Sequence, residues 1–210
     1  MAVRFNCTVA SAGKPAGLPV VPMRSSPESR TLQRRPPSIA LTGFMAAGKS
    51  SAGRALAWLL QWSFIDLDCE VERLSRRSIR AIFAQQGESR FREIEAEALL
   101  STLEAATGST VIALGGGTFV DPKNARLLSD FGVRVIFLEL PLEQLVQRCR
   151  ALGERCEQNP RPLAENEQAF CALYAQRLPS YRQANLVVKA EGKTPEEIAR
   201  EIAKALKLAE

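Results

Sequence analysis

The sequence predicts an α/β fold: a three-layer sandwich with helices on both faces of a five-stranded parallel sheet. Three observations carry that expectation. From Ser38 onward, strand-like and helix-like segments alternate, the pattern of a parallel sheet wrapped by crossover helices. The first strand-like run, residues 39–41, leads into Gly43-x-x-x-x-Gly48-Lys49-Ser50 and then directly into a helical pattern. Two later strand-like runs end in groups suited to ligands, Asp66 with Asp68 and Gly115-Gly116-Gly117. In open α/β sheets, ligands bind at the carboxyl ends of strands.

Residues 1–37 are rich in Pro, Ser, Ala and Arg without a sustained period, and read as a disordered N-terminal extension. Three origins fit an acid-poor stretch of this kind: a variable tail (Met23 offers a later start), an organelle transit peptide, or a small basic tail for acidic partners. No compact apolar run stands behind its charge, which argues against a secretory signal. Residues 38–210 read as a single domain with no internal repeat or dividing linker.

Within that domain the first helix is expected over residues 52–60. Residues 64–68, Phe-Ile-Asp-Leu-Asp, read as a short second strand ending in acids. A helical pattern fills 69–106, broken near 75–78 and at Gly87. Residues 110–114 form a third strand. Asp121-Pro122 then opens a helix, Asp as N-cap and Pro in the first turn. Residues 133–138 are a fully apolar fourth strand, and Pro141 opens a helix to about Arg150. Residues 151–166, with Gly153, Asn159, Pro160 and Pro162, lose the pattern. Helix resumes over about 167–177, residues 186–189 make a fifth strand, and Thr194-Pro-Glu-Glu197 is a capping box for a last helix.

Composition narrows the chemistry. The 210 residues include no histidine, which excludes Ser-His or Cys-His pairs and His metal sites. The five cysteines contain no C-x-x-C pair and read as reduced thiols in a cytoplasmic protein. No apolar run is long enough to span a bilayer. Of 28 basic and 23 acidic residues, six basic and one acidic fall in 1–37. The rest of the chain is therefore formally neutral, with no footprint for nucleic acid.

The strand–loop–helix context makes the glycine loop a phosphate cradle. Loop N–H groups and the helix N-terminus face an anion, Lys49 reaches the outer phosphates, and the Ser50 hydroxyl suits Mg²⁺. Read as extended backbone, Asp66 and Asp68 point the same way. One would orient Mg²⁺ waters, and the other would accept a hydroxyl proton. Gly115, Gly116 and Gly117 allow backbone to approach a ligand closely. Arg92, Arg161 and Arg177 are candidate guanidinium groups for a carboxylate or a transferring phosphoryl. Glu95, three residues after Arg92, is placed to hold it.

These segments, in this order, resemble the shikimate kinase family: Gly-Phe-Met-Ala-Ala-Gly-Lys-Ser, Asp66-Leu-Asp68, residues 82–95 (Ile-Phe-Ala-Gln-Gln-Gly-Glu-Ser-Arg-Phe-Arg-Glu-Ile-Glu), Leu-Gly-Gly-Gly-Thr118, Arg161-Pro-Leu, and Arg177-Leu-Pro-Ser-Tyr-Arg. The likeness covers about residues 38–208. It implies a nucleoside-monophosphate-kinase-like P-loop fold with strand order 2-3-1-4-5 and a lid at about 151–166. It implies transfer of the ATP γ-phosphoryl group to the 3-hydroxyl of shikimate, with Mg²⁺, in aromatic amino-acid biosynthesis, by a monomer. By the same resemblance, Gly43, Ala46, Ala47, Gly48, Lys49, Ser50 and Ser51 hold nucleotide, with Arg148, Arg161 and Lys193. Asp66 and Ser50 serve the metal. Asp68, Arg92, Arg177, the three glycines, Phe83 and Phe91 hold shikimate. Lys49, Asp68 and Arg161 are the catalytic set. Three features depart from the family: Ala46 where Gly is usual, a lid a few residues longer, and the extension. The alternatives are a kinase of the same fold acting on gluconate or a nucleotide, and an ATP-binding regulatory module without turnover.

Overall fold

A computed structural model describes residues 36–155 and 167–208. The extension, except for Pro36 and Pro37, lies outside the described residues, as does most of the expected lid, including Arg161. Five strands form one parallel sheet: β1 Ser38–Thr42, β2 Ser63–Asp66, β3 Thr110–Ala113, β4 Arg134–Glu139 and β5 Leu186–Lys189. Their order is β2-β3-β1-β4-β5, as the resemblance implies. The helices are α1 Lys49–Leu60, α2 Leu67–Ser75, α3 Ile79–Ala105, α4 Pro122–Asp130, α5 Leu142–Arg155, α6 Glu167–Tyr181 and α7 Pro195–Ala205, with a 3₁₀ turn at Thr118–Val120.

The alternation of a pleated strand builds the layers. Ile39 and Leu41 of β1 face one apolar cluster with Leu56 of α1 and Ile202 of α7. Ala40 faces the other, with Val71, Leu99 and Leu128 from α2, α3 and α4. The central strand is thus apolar on both sides, as a parallel sheet covered on both faces requires. Side-chain caps start the helices where expected. Asp121 accepts from the Lys123 N–H at 2.8 Å. Thr194 and Glu197 form a reciprocal capping box. None of the described helices is long and apolar enough to cross a membrane.

Three local expectations change. The second strand stops at Asp66, whose side chain caps α2 by accepting from the Asp68 N–H at 3.2 Å. Asp68 is therefore helical, so strand alternation does not relate the two acids. Residues 151–155 continue α5, so helix occupies the start of the expected lid. The helix from Glu167 runs past Arg177 and through Pro179 to Tyr181. Pro179 removes one donor near the helix end, yet the ladder resumes with Arg182 N–H to the Leu178 carbonyl at 3.1 Å. The expected break at Gly87 is present, as a kink inside α3 at φ 80° and ψ 177°.

Candidate functional site

The carboxyl ends of β1, β2 and β3 bring the phosphate loop, the two aspartates and the three glycines to one edge of the sheet. Gly48 is the N-cap of α1, so the first turn of that helix opens toward the loop. The Lys49 ammonium donates to the carbonyls of Gly43 and Phe44, both at 3.0 Å, and lies across the loop. A Cβ on Gly48 would stand 3.9 Å from Arg148 Nη1, which places the Arg148 guanidinium against the phosphate loop. Ala47 is buried and Ser51 exposed. Ala46 has φ 61°, the left-handed region. Lys193 pairs with Glu201 of α7, so any contact with nucleotide requires it to leave that carboxylate.

Ser50 donates its hydroxyl to Asp66 Oδ2 at 2.6 Å, joining α1 to the end of β2. A hydroxyl and a carboxylate side by side are hard oxygen donors. They fit Mg²⁺, which takes one or two protein groups and completes its shell with waters and phosphate oxygens. Asp68 Oδ1 sits 3.1 Å from where a Cβ on Gly115 would be. Burial, then the charges of Asp66, Glu72 and Asp68, raise the thiol pKa of nearby Cys69 and keep it protonated.

The glycine loop is packed by side chains from three helices. A Cβ on Gly117 would collide with the Arg92 guanidinium, whose Cζ lies 2.7 Å from that position. A Cβ on Gly115 would meet Glu95 Oε1 at 2.5 Å. On Gly116 it would lie 3.7 Å from both Arg177 Nη1 and the Met45 N of the phosphate loop. Glycine is what lets Arg92 and Glu95 approach Gly117 and Gly115 so closely, whereas at Gly116 a side chain would meet Arg177 and the loop at ordinary contact distance. Arg177 Nη1 also donates to the Gly116 carbonyl at 3.3 Å, and its guanidinium lies 5.9 Å from the Phe44 ring centroid.

Arg92 is held by carboxylates. Glu95 is 1% exposed, and its Oε2 accepts from Arg92 Nη1 at 2.8 Å. Burial works against the Arg92 charge, but Glu95 and Glu88 outweigh it and raise its pKa. Thr118 donates to the other Glu95 oxygen at 2.6 Å. The Phe83 and Phe91 rings are 4.6 Å apart; Phe91 is buried and Phe83 is 41% exposed.

Three contributors carried no assigned role in the sequence reading. Glu88 donates no proton but accepts from Arg92, four residues away on α3. Tyr181 lies four residues after Arg177, hydrogen-bonds the Gly116 carbonyl and stacks on Phe137. The i,i+4 spacing is a local signal that puts Glu88 beside Arg92 and Tyr181 beside Arg177, while the bond from Tyr181 to Gly116 has none. Thr118 is 23 residues from Glu95 and has no such signal.

A family model described as shikimate kinase matches residues 45–207. A curated shikimate kinase of Persephonella marina is 36% identical over 166 residues, covering 79% of this chain and 96% of the relative. The solved shikimate kinase of Acinetobacter baumannii in complex with shikimate is 32% identical with TM-score 0.71, covering 82% of this chain and 93% of that one. A gluconokinase from Sinorhizobium meliloti shares the fold, at TM-score 0.56 and 19% identity over 83% of this chain and 94% of its own.

Proposed function

This chain belongs to the shikimate kinase family, and we propose that it transfers the γ-phosphoryl group of ATP to the 3-hydroxyl of shikimate, giving ADP and shikimate 3-phosphate. The observation that carries the reading is the glycine loop after β3. Guanidinium groups of Arg92 and Arg177 approach it from α3 and α6, Asp68 lies beside it, and the phosphate loop touches it. Two guanidinium forks at one place suit a small carboxylate. A carboxylate beside a phosphate cradle suits an alcohol that is to be phosphorylated.

In this reading the backbone N–H groups of Ala46, Ala47, Gly48 and their neighbours take the phosphates, with Lys49 turning from the loop carbonyls to the outer phosphates. Ser50 and Asp66 are the residues that would hold Mg²⁺, whose chemistry is to neutralise phosphate charge and orient β- and γ-oxygens. Arg148 flanks the nucleotide, and Lys193 belongs to the loop on its base side. Arg92 and Arg177 grip the carboxylate of shikimate while Phe83 and Phe91 border its ring. Asp68 accepts the 3-hydroxyl proton as that oxygen forms its bond to phosphorus and the bond to ADP breaks. Arg161, on the segment after α5, supplies a cation over the phosphates.

The test is ADP release by purified protein, assayed with and without shikimate and Mg²⁺, with the product identified by phosphorus–proton coupling at C3. Turnover that requires both is expected. No turnover at millimolar shikimate, or equal turnover with gluconate in a substrate panel, overturns the reading.

A further inference from the structure

Arg92 meets two carboxylates of opposite character. Glu95 is built into the interior, with one oxygen on Arg92 Nη1 at 2.8 Å and the other taking the Thr118 hydroxyl at 2.6 Å. Glu88 lies on the surface. Its side chain is 64% exposed, and Oε1 alone accepts from Arg92 Nε at 3.3 Å and Nη2 at 3.0 Å. A guanidinium takes a carboxylate bidentately through a pair of adjacent N–H groups. One Nη1 N–H is committed to Glu95, and the adjacent pair Nε with Nη2 is covered by Glu88. Glu88 also directly follows Gly87, where α3 loses its helical backbone.

We infer that Glu88 is an internal stand-in for the substrate carboxylate, covering the Nε–Nη2 edge of Arg92 and exchanging with the incoming anion. This rests on the proposed role of Arg92 in gripping that anion. The exchange selects for charge. A carboxylated substrate replaces both charge-assisted hydrogen bonds that Glu88 gives up, whereas the hydroxyls of a neutral polyol offer only weaker, uncharged acceptors and compete poorly with Glu88. The exchange is also readily reversible, because exposed ion pairs are weak and screened by salt. Two carboxylates facing one guanidinium leave excess negative charge where an anion must bind, so removing the Glu88 charge favours binding.

The experiment uses the full chain with Glu88→Gln and, separately, Glu88→Ala. Steady-state kinetics are measured at ionic strengths of about 0.01 M and 1 M, where the screening length is about 30 Å and 3 Å. At low salt both variants are expected to lower KM for shikimate by about two- to fivefold, the worth of an exposed ion pair. kcat and KM for ATP should stay within about twofold, and the gap in shikimate KM should close at high salt. An unchanged or raised KM for shikimate overturns the inference, because Glu88 would then be idle or a positioning partner of Arg92. Absence of shikimate turnover in the unsubstituted chain overturns the proposed function instead, so the two failures are distinct.

Discussion

Thr118 donates its hydroxyl to Glu95 across 2.6 Å, tying the 3₁₀ turn after the glycine loop to a residue 23 positions earlier on α3. Thr118 is fully buried and Glu95 is 1% exposed, so neither group has bulk water as a substitute partner. The bond fixes the carboxylate whose other oxygen holds Arg92. One hydroxyl thereby sets the position of a guanidinium it does not touch.

Thr118→Val keeps the shape and removes that donor. It leaves a buried carboxylate oxygen short of a partner, at a cost of about 1–3 kcal/mol. For a chain of this size that lowers the thermal midpoint by roughly 2–12 °C. KM for shikimate should rise while kcat changes little, and Thr118→Ser should restore both. Thermal denaturation and steady-state kinetics read the two effects. A variant that melts like the parent would show that the bond contributes nothing.

Ala46 sits at φ 61° inside the phosphate loop. That conformation costs an L-residue about 1–2 kcal/mol, and glycine escapes it at an entropic cost of about 0.5–1 kcal/mol. Ala46→Gly is therefore expected to be neutral or more stable by up to about 1.5 kcal/mol. Calorimetric ATP affinity should be equal or tighter. Ala46→Val should destabilise, since β-branched residues tolerate positive φ poorly. A clear loss of stability in Ala46→Gly would mean that the methyl packing against the neighbouring apolar cluster outweighs the strain.

Tyr181 supplies a pH dependence. Burial pushes its phenol up to about 12, against the opposing charges of Arg177 and Arg92. In the unfolded chain it titrates near about 10. Between these values the unfolded state releases the proton and the folded state keeps it, so stability falls as pH rises. The contribution is intact below about pH 10 and, over two units, amounts to about 2–3 kcal/mol by pH 12. Tyr181→Phe removes this term along with the hydrogen bond to Gly116. Urea unfolding of both proteins should show the variant less stable at pH 8, with the difference shrinking or reversing toward pH 12. A pH-independent difference would show that Tyr181 ionises alike in both states.

The fold was legible because its signals are local and repeat. Apolar runs at residues 39–41, 110–114 and 133–138 are too short for ordinary helices and read as buried strands, and caps at Asp121 and Thr194 marked helix starts. Strand order was not local, and came from the family resemblance. At the site, the Arg92–Glu95 pair was legible from i,i+3 spacing. The relation of Asp66 to Asp68 was misread as strand alternation. The sequence Asp-Leu-Asp suits a strand end and a capped helix start equally, and packing of Leu67 and Val71 against the sheet decides for helix. Thr118 to Glu95 and Tyr181 to Gly116 join distant segments, so they emerge only when the sheet edge is assembled.

Asp68 offers the sharpest test of the proposed chemistry. It lies in the first turn of α2, and its carboxylate stands beside Gly115. Its backbone N–H, not its side chain, makes the capping bond to Asp66, so Asp68→Asn leaves the helix start intact. The substitution keeps the size of the group and removes its capacity to accept a proton. General-base loss of this kind costs about 10²–10⁴ in rate. kcat should fall by that order, while the calorimetric ATP affinity stays within about twofold, because the phosphates are assigned to the loop after β1. Asp66→Asn should behave differently. It disturbs the 2.6 Å bond with Ser50, so its effect should appear as a raised Mg²⁺ requirement. If Asp68→Asn instead loses ATP affinity in proportion to kcat, Asp68 serves the nucleotide and the acceptor hydroxyl must find its base elsewhere.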